Sequence, residues 1–496
     1  MSKIYCTYNK LQISWVKSRI FYGLSLDKRS HLFDIAKFIN DPWSGNIEYG
    51  NKLLNNLELI KSDSTFSWIR DLQAIGGNSV RKYVCSVTQN FISSYRKSKR
   101  FWEGPEWETA IVSERVVNWI LSYSFFVASS DDKFQKLVLS SLTEQLSHIN
   151  RIYKSENNQI SRLRALKAML FCFIFMKNNN RNRIKKIISE ISQLISKSFD
   201  NTGLFITRNP GAHFEMFKNI LEIRFVMRNA NLEFPFNDLL SKMAMHIRYF
   251  RMGDGILSNH SGDRLETGII SEKIRSNLID SALSFVNPIS EIPFPSGFSK
   301  LSTKDSVIIL NTMGNNARSK FDHINEPGIN IFDFEATFKN DRVINRSDVA
   351  ILYSDGRHRI KIGKYIEPYV QQNNNSIECE LADFNKRFRF ALRREIVVNS
   401  QTELNISVSD FFHTGEISDI FIRCVFNENA TMEKTSNKVA IIKNNNKRYR
   451  FFISEIFIDT SFVLEIQKYA IYPTIVIHFK SVAKMESKVN WILESF

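Results

Sequence analysis

The chain has 496 residues, with 67 Lys and Arg against 51 Asp and Glu, for a formal net charge of +16. At this length, with 43% hydrophobic and 24% charged residues, it is excluded from the disordered and fibrous classes and is expected to build two or three cores rather than one. The positive balance favours polyanionic partners such as acidic glycans, nucleic acid or anionic lipid, although a dispersed lysine- and asparagine-rich surface gives the same sum.

In chain order, residues from about 30 to 285 read as helices. Ser130-Asp131-Asp132 places acidic side chains where a helix N-terminus favours them. Phe134, Leu137, Leu142, Leu146 and Ile149 follow as one apolar stripe. Ile184, Ile187, Ile188, Ile191, Leu194 and Ile195 share the face of a further helix, and Phe214, Phe217, Leu221 and Phe225 that of another. Short breaks such as Asn178-Asn179-Asn180 separate them, so helices are expected to layer on helices.

The period changes near Asn287-Pro288, and from about residue 305 side chains alternate by two. Val307-Ile308-Ile309-Leu310 is predicted as a short buried strand. In 387–393 the alternation puts Phe388, Phe390 and Leu392 on one sheet face and Arg387, Arg389 and Arg393 on the other. Asn444-Asn445-Asn446 tolerates left-handed turn geometry and is predicted to join Val439–Ile442 to Arg448–Phe452 as a hairpin. Repeated strands and turns predict two packed antiparallel sheets. No internal repeat is visible.

Several segments carry a resemblance in a fixed order. In Thr202–Gly211, Gly203 and the run Arg208-Asn209-Pro210-Gly211 fit a loop that reads roughly Asp-Gly-Gly-His, two residues, Arg-Asn-Pro-Gly in the proteobacterial branch of the heparinase II/III-like polysaccharide lyase family. Phe205 stands at the histidine position and Leu204 at the glycine before it. Phe66–Leu72, Trp107 with Ser113–Trp119, Ile247–Gly255, Pro295–Phe298 and Val489–Leu493 are similar to further family elements. The chain thus resembles a divergent member of that family. The resemblance implies an α+β multidomain fold: an incomplete (α/α) toroid over residues 1–290, then an antiparallel β-sandwich over 291–496.

It also implies a lyase that cleaves uronic-acid-containing glycans by β-elimination. Such chemistry needs a donor to the sugar carboxylate, a base for the α proton and an acid for the departing oxygen. Arg208 and Asn209 are the carboxylate-side candidates, since an arginine fork matches a carboxylate; a loop arginine beside an Asn-Pro turn is the plainer reading. Arg251 and Asp254 are candidate substrate contacts, with a structural ion pair and a turn cap as the alternatives. His260, in Ile256–His260, is the base that the sequence offers after Asp254-Gly255, with an inert loop histidine as the plainer reading. His323, in Asp322–Gly328, is the second catalytic candidate, as a displaced base or metal ligand, where the family tends to have Ala-His-Ala-Gly.

Some members carry zinc in the sandwich. Here Ile351 occupies one expected histidine position and the segment around Arg423 lacks the family's histidines, so no metal is expected, and no other cofactor. The five cysteines form no CxxC pair and suggest no disulfide framework. No Walker loop, nucleophile elbow or HExxH is present. No apolar run approaches the roughly 20 residues that span a bilayer, and the first residues lack the apolar core of a signal peptide. The expected location is therefore the cytoplasm, with the cell envelope or periplasm as the alternative that lyases of this type suggest. The expected partner is an acidic polysaccharide or oligosaccharide; no nucleic-acid motif accompanies the charge. With Phe205 in place of histidine, activity is left open, and the rival reading is a non-catalytic glycan-binding or scaffold protein.

Overall fold

The computed structural model describes residues 39–98, 101–175, 181–260, 272–287, 297–312, 331–353, 368–383, 390–399, 403–427, 429–444, 447–457, 462–469 and 472–496. Among them the helices are α1 (Ile47–Asn55), α2 (Leu57–Ser62), α3 (Ile69–Ile75), α4 (Asn78–Lys97), α5 (Thr109–Leu121), α6 (Tyr123–Phe126), α7 (Asp132–Ile152), α8 (Gln159–Phe175), α9 (Arg181–Ser198), α10 (Pro210–Asn229), α11 (Asn237–Phe250) and α12 (Glu272–Ser284). None of the described helices is long and apolar enough to cross a membrane. Strands follow from Phe298 onward, which gives an α+β, multidomain architecture.

The compact units do not divide where the element type changes. One draws on Met1–Phe199 and Glu215–Leu240, the other on Asp200–Phe214 and Ser241–Phe496. Most of α11 and all of α12 therefore belong with the strands, as does the loop at 200–209. Periodicity reports the kind of element, not its packing partner, and so placed the division at 290.

In the first unit, α8 is buried on nearly all sides, which makes it a central helix rather than an amphipathic one. Charge enters its packing: Lys167 sits fully buried between Glu114 and Glu222, and Glu222 also accepts from the Trp43 indole at 2.7 Å. Helix α7 begins as expected, with Asp131 as N-cap accepting from the Phe134 amide at 2.8 Å. Its buried face is not the purely apolar stripe predicted. Leu137 and Leu146 are only partly buried, while Glu144, Gln145 and His148 are buried and bonded to Tyr95, Arg115 and the Trp107 carbonyl.

In the second unit, every strand pairing among the described residues is antiparallel. The strands are β1 (Phe298–Ser302), β2 (Ser306–Asn311), β3 (Ile331–Phe338), β4 (Asp341–Tyr353), β5 (Tyr369–Gln372), β6 (Ser376–Asp383), β7 (Phe390–Val398), β8 (Asn405–Thr414), β9 (Ser418–Val425), β10 (Thr431–Lys434), β11 (Val439–Asn444), β12 (Lys447–Phe457), β13 (Phe462–Tyr469), β14 (Tyr472–Lys480) and β15 (Glu486–Ser495). They form a seven-stranded sheet ordered β1-β2-β3-β4-β9-β14-β13 and an eight-stranded sheet ordered β10-β11-β12-β15-β8-β7-β6-β5. Alternate residues of both sheets, among them Ile308, Phe334, Ile420, Leu392, Val408 and Trp491, share one apolar core. Strands β11 and β12 pair with Asn444 opposite Lys447, as a hairpin requires.

One inward position on β7 carries charge. Phe390 and Leu392 are buried as the alternation predicts, while Phe388, Arg387 and Arg389 lie outside the described residues; Ile396 and Val398 continue the buried face, and Arg394, between Leu392 and Ile396, is equally buried. Its guanidinium meets Asp410 on β8 through two bonds of 2.6 and 3.0 Å and donates to the Phe332 and Ser347 carbonyls. Arg394 and Asp410 stand directly opposite each other in the ladder.

Candidate functional site

The loop entering α10 is folded by Asp200, whose carboxylate accepts from the Thr202 amide, the Thr202 hydroxyl and the Leu204 amide at 2.7–3.0 Å. It ends on Asn209, whose side-chain oxygen accepts from the Ala212 amide at 3.0 Å and so caps the helix, with Pro210 as its first residue. Arg208, just before the cap, has φ +57, a left-handed conformation that a side chain with a Cβ rarely adopts. Its Nη2 donates to the Gly297 carbonyl at 2.7 Å, and its guanidinium lies 4.9 Å from the centre of the Phe298 ring. Burial lowers its pKa to about 10, while the charges of Asp333 and Asp200 act in the opposite direction.

Phe205 is buried, and its amide donates to Nδ1 of His213 at 3.2 Å. Nε2 of His213 faces the Met243 carbonyl at 3.1 Å. One ring nitrogen accepts and the other donates, so His213 is a neutral imidazole, and burial holds its pKa down at about 3. The His246 ring packs edge-on against it at 5.7 Å and faces the Thr202 carbonyl. The two histidines are 33 positions apart in sequence, and the fold brings them together.

Helix α11 and the turn after it supply the next group. Arg251 pairs with Asp280 through both terminal nitrogens and bonds to the Gly255 carbonyl. Asp254 accepts from the Ile256 amide at 3.0 Å and from Arg342 at 2.8 Å. Gly255 has φ +80, and a Cβ there would meet the Ser276 hydroxyl at 2.6 Å, so the turn requires glycine. The side chains of Arg251 and Asp254, candidate substrate contacts, thus form the ion pair and the turn bond that were the alternatives for them.

His260 is fully buried. Nδ1 faces Asp333 at 2.9 Å and Nε2 faces the Ile309 carbonyl at 3.1 Å. Two acceptors require two donors, so the ring is an imidazolium here. Burial opposes that charge, but Asp333, with Glu335 behind it, outweighs burial and raises the pKa above its ordinary value. Asp333 is completed by the Asn311 amide at 2.9 Å, and its pKa is lowered: burial raises it, and His260 overcomes that. A base needs a lone pair, and in this arrangement neither His260 nitrogen has one. His323 lies outside the described residues.

Strand β1 gathers two further groups, Tyr249 and Lys300, neither of which was a candidate site residue in the sequence. The Tyr249 hydroxyl donates to the Phe298 carbonyl at 3.3 Å, and burial pushes that phenol up. Lys300 shares a strand face with Phe298, two residues away. Its ammonium nitrogen lies 5.7 Å from the centre of the Tyr249 ring and reaches the carbonyls of Tyr249 and Arg251 at 2.8 and 3.0 Å. Burial lowers its pKa to about 8. Arg208 and Lys300, far apart in sequence, thus meet neighbouring positions on one strand. The arrangement presents two cations whose charge burial makes costly, beside aromatic surface.

Among the described residues no group of three or more His, Cys, Asp and Glu could hold a metal. Ile351 is buried in the core, and Arg423 forms a two-bond ion pair with Asp348 at 2.7 and 3.1 Å.

No protein-family model matches the chain, and no curated protein matches it. Solved structures do. Heparan sulfate lyase HepC from Pedobacter heparinus matches at 14% identity with a TM-score of 0.52, over 87% of this chain and 76% of that one. One heparinase III matches at 13% identity with a TM-score of 0.58, over 96% and 84% of the two chains. Another heparinase III matches at 13% with a TM-score of 0.56, over 87% and 78%. At such identities the likeness is one of fold, and the chain is a distant structural relative of these lyases.

Proposed function

We propose that the chain is a polysaccharide lyase-like protein that engages uronic-acid-containing glycans and cleaves them by β-elimination. In this reading the helical elements form an incomplete (α/α) toroid and the two sheets a β-sandwich. Arg208 carries the proposal. A left-handed arginine is strained, and strain of that kind collects where a side chain must be aimed. Its guanidinium is anchored on the Gly297 carbonyl and stacked on Phe298, where burial penalises its charge. A carboxylate matches the planar fork and would relieve that penalty. Asn209 supports the loop as the cap of α10, and His260 supports strand β3 as the cation of a buried pair.

A second reading, binding of acidic glycans without turnover, is favoured by two observations: Phe205 is apolar where the family loop has histidine, and His260 has no lone pair. Loss of one charge-stabilising donor costs roughly a hundred- to a thousand-fold in rate. The test is a screen of acidic glycans for the absorbance of an unsaturated uronic product, with calorimetric binding measured alongside. Removing a charged hydrogen bond costs about 1.5–3 kcal/mol, so Arg208→Ala is expected to weaken binding roughly ten- to a hundred-fold. Product from wild type and little from Arg208→Ala supports the lyase. Binding that needs Arg208 without any product supports the second reading. Equal binding by wild type and variant, or none, removes both.

A further inference from the structure

We infer that Lys300 is the proton acceptor of this elimination, working on the carbon next to the carboxylate that Arg208 holds. The inference rests on the lyase reading and adds the reacting group that reading lacks.

The other titratable groups around β1 are committed elsewhere. His260 donates from both ring nitrogens. His213 spends its single lone pair on the Phe205 amide and its proton on a carbonyl. The Tyr249 hydroxyl donates to the Phe298 carbonyl, and burial holds it further from ionisation than a free phenol.

Lys300 differs in the geometry of its nitrogen. An uncharged amine has two hydrogens and one lone pair in a tetrahedral arrangement. The carbonyls of Tyr249 and Arg251 take two of those directions as acceptors. The lone pair is then fixed along a third direction by the backbone of α11 and its turn, without any help from substrate. Among the described residues no carboxylate lies within ion-pair reach of this nitrogen. Arg251 is tied to Asp280, Glu378 on the neighbouring β6 faces Arg393 at 3.6 Å, Glu380 is exposed, and Asp305 lies in the turn after β1. With no carboxylate to hold the charged form, burial prevails over the two carbonyls and lowers the pKa to about 8, near the range where a general base is most effective.

The spacing also suits a uronate. Its carboxylate carbon is bonded to C5, so the carboxylate donor and the base must stand a few ångströms apart. Arg208 covers Phe298, and the side chain of Lys300 leaves the same face about 7 Å along the strand. In the step itself the C5–H bond breaks and the proton goes to the Lys300 nitrogen. The electron pair forms the C4–C5 double bond, and the C4–O4 bond breaks. The departing O4 takes the proton from the Lys300 ammonium, so no further reactant is consumed.

The experiment measures product release from the best acidic glycan between pH 6 and 10 for wild type, Lys300→Met and Lys300→Arg, with melting curves for each protein. Lys300→Arg keeps the charge and the two carbonyl bonds but has no lone pair to offer. Wild-type kcat/KM is expected to rise with a midpoint of about 8, as the amine loses its proton. Both variants should lose on the order of a hundred- to ten-thousand-fold in kcat, with KM little changed and the rising limb gone. A folded variant within threefold of wild type, or a wild-type limb that is complete below pH 7, overturns this inference and leaves the lyase reading intact. No product from wild type on any glycan overturns both.

Discussion

Asn209 shows how one residue can satisfy a motif for a reason the motif does not state. The run Arg-Asn-Pro-Gly marked it as a carboxylate contact, whereas its side-chain oxygen caps α10. Asp caps as well as Asn but lacks the amide hydrogens, so the two roles separate experimentally. Asn209→Ala should cost about 1 kcal/mol of stability in urea titrations, and Asn209→Asp should cost little. If Asn209→Asp nevertheless loses glycan binding, the amide is a substrate contact as well. His260 was legible as a candidate base but not as the cation of a buried pair, because its partner Asp333 lies 73 positions away on a strand whose register no local pattern fixes. Breaking a buried pair by deleting one partner costs about 3–5 kcal/mol, so Asp333→Ala should lower the unfolding free energy by that amount, read as a lower urea midpoint at unchanged m-value. In Asp333→Ala/His260→Gln the combined loss should be smaller than the sum of the two single losses.

At the level of elements, the sequence was most readable where water contacts one face. Helix α9 buries Ile184, Ile187, Ile191, Leu194 and Ile195 from its predicted stripe, and β2 forms where Val307–Leu310 was read as a strand. Helix α7 was half legible: its cap was visible, but its buried Glu144, Gln145 and His148 were not, since each depends on a partner from another element. Asp131→Ala should lower the stability of the helical unit by about 1 kcal/mol, checked as a shift in its melting transition. Lys300 was invisible for the same reason as the partner of His260. A lysine on a strand reads as solvated until α11 is seen to bring two carbonyls to it.

For the whole molecule, the buried histidines set opposing dependences on pH. His148 and His213 have folded pKa values of about 4 and 3, below the ordinary 6.5, chiefly through burial. The unfolded chain binds more protons there, so the stability these groups contribute is complete above pH 6.5 and is lost as pH falls toward 4. His260 has the opposite sign. Its raised folded pKa gives stability that is complete below 6.5 and is lost as pH rises through the folded value. Melting temperature should therefore peak near neutrality. The acid loss should affect the transitions of both units, because His148 belongs to one and His213 to the other, and the alkaline loss that of the strand-bearing unit alone. His213→Gln, which can still accept from one amide and donate to one carbonyl, should flatten the acid side of the second unit's profile in calorimetric scans from pH 4 to 9.

The pair of Arg394 and Asp410 bears on how the β7–β8 hairpin finds its alignment. A slip by one residue would turn the apolar side chains of a strand outward, and hydrophobic burial opposes it. A slip by two keeps every apolar residue facing inward, and burial alone hardly penalises it. It would, however, set Arg394 opposite Phe412 or Val408, both fully buried, and leave a guanidinium without its carboxylate. The charge pair therefore discriminates against the one error that the hydrophobic pattern tolerates. Replacing both partners with apolar residues of similar size is expected to keep or raise equilibrium stability while yielding more misaligned, aggregating chains on refolding from urea.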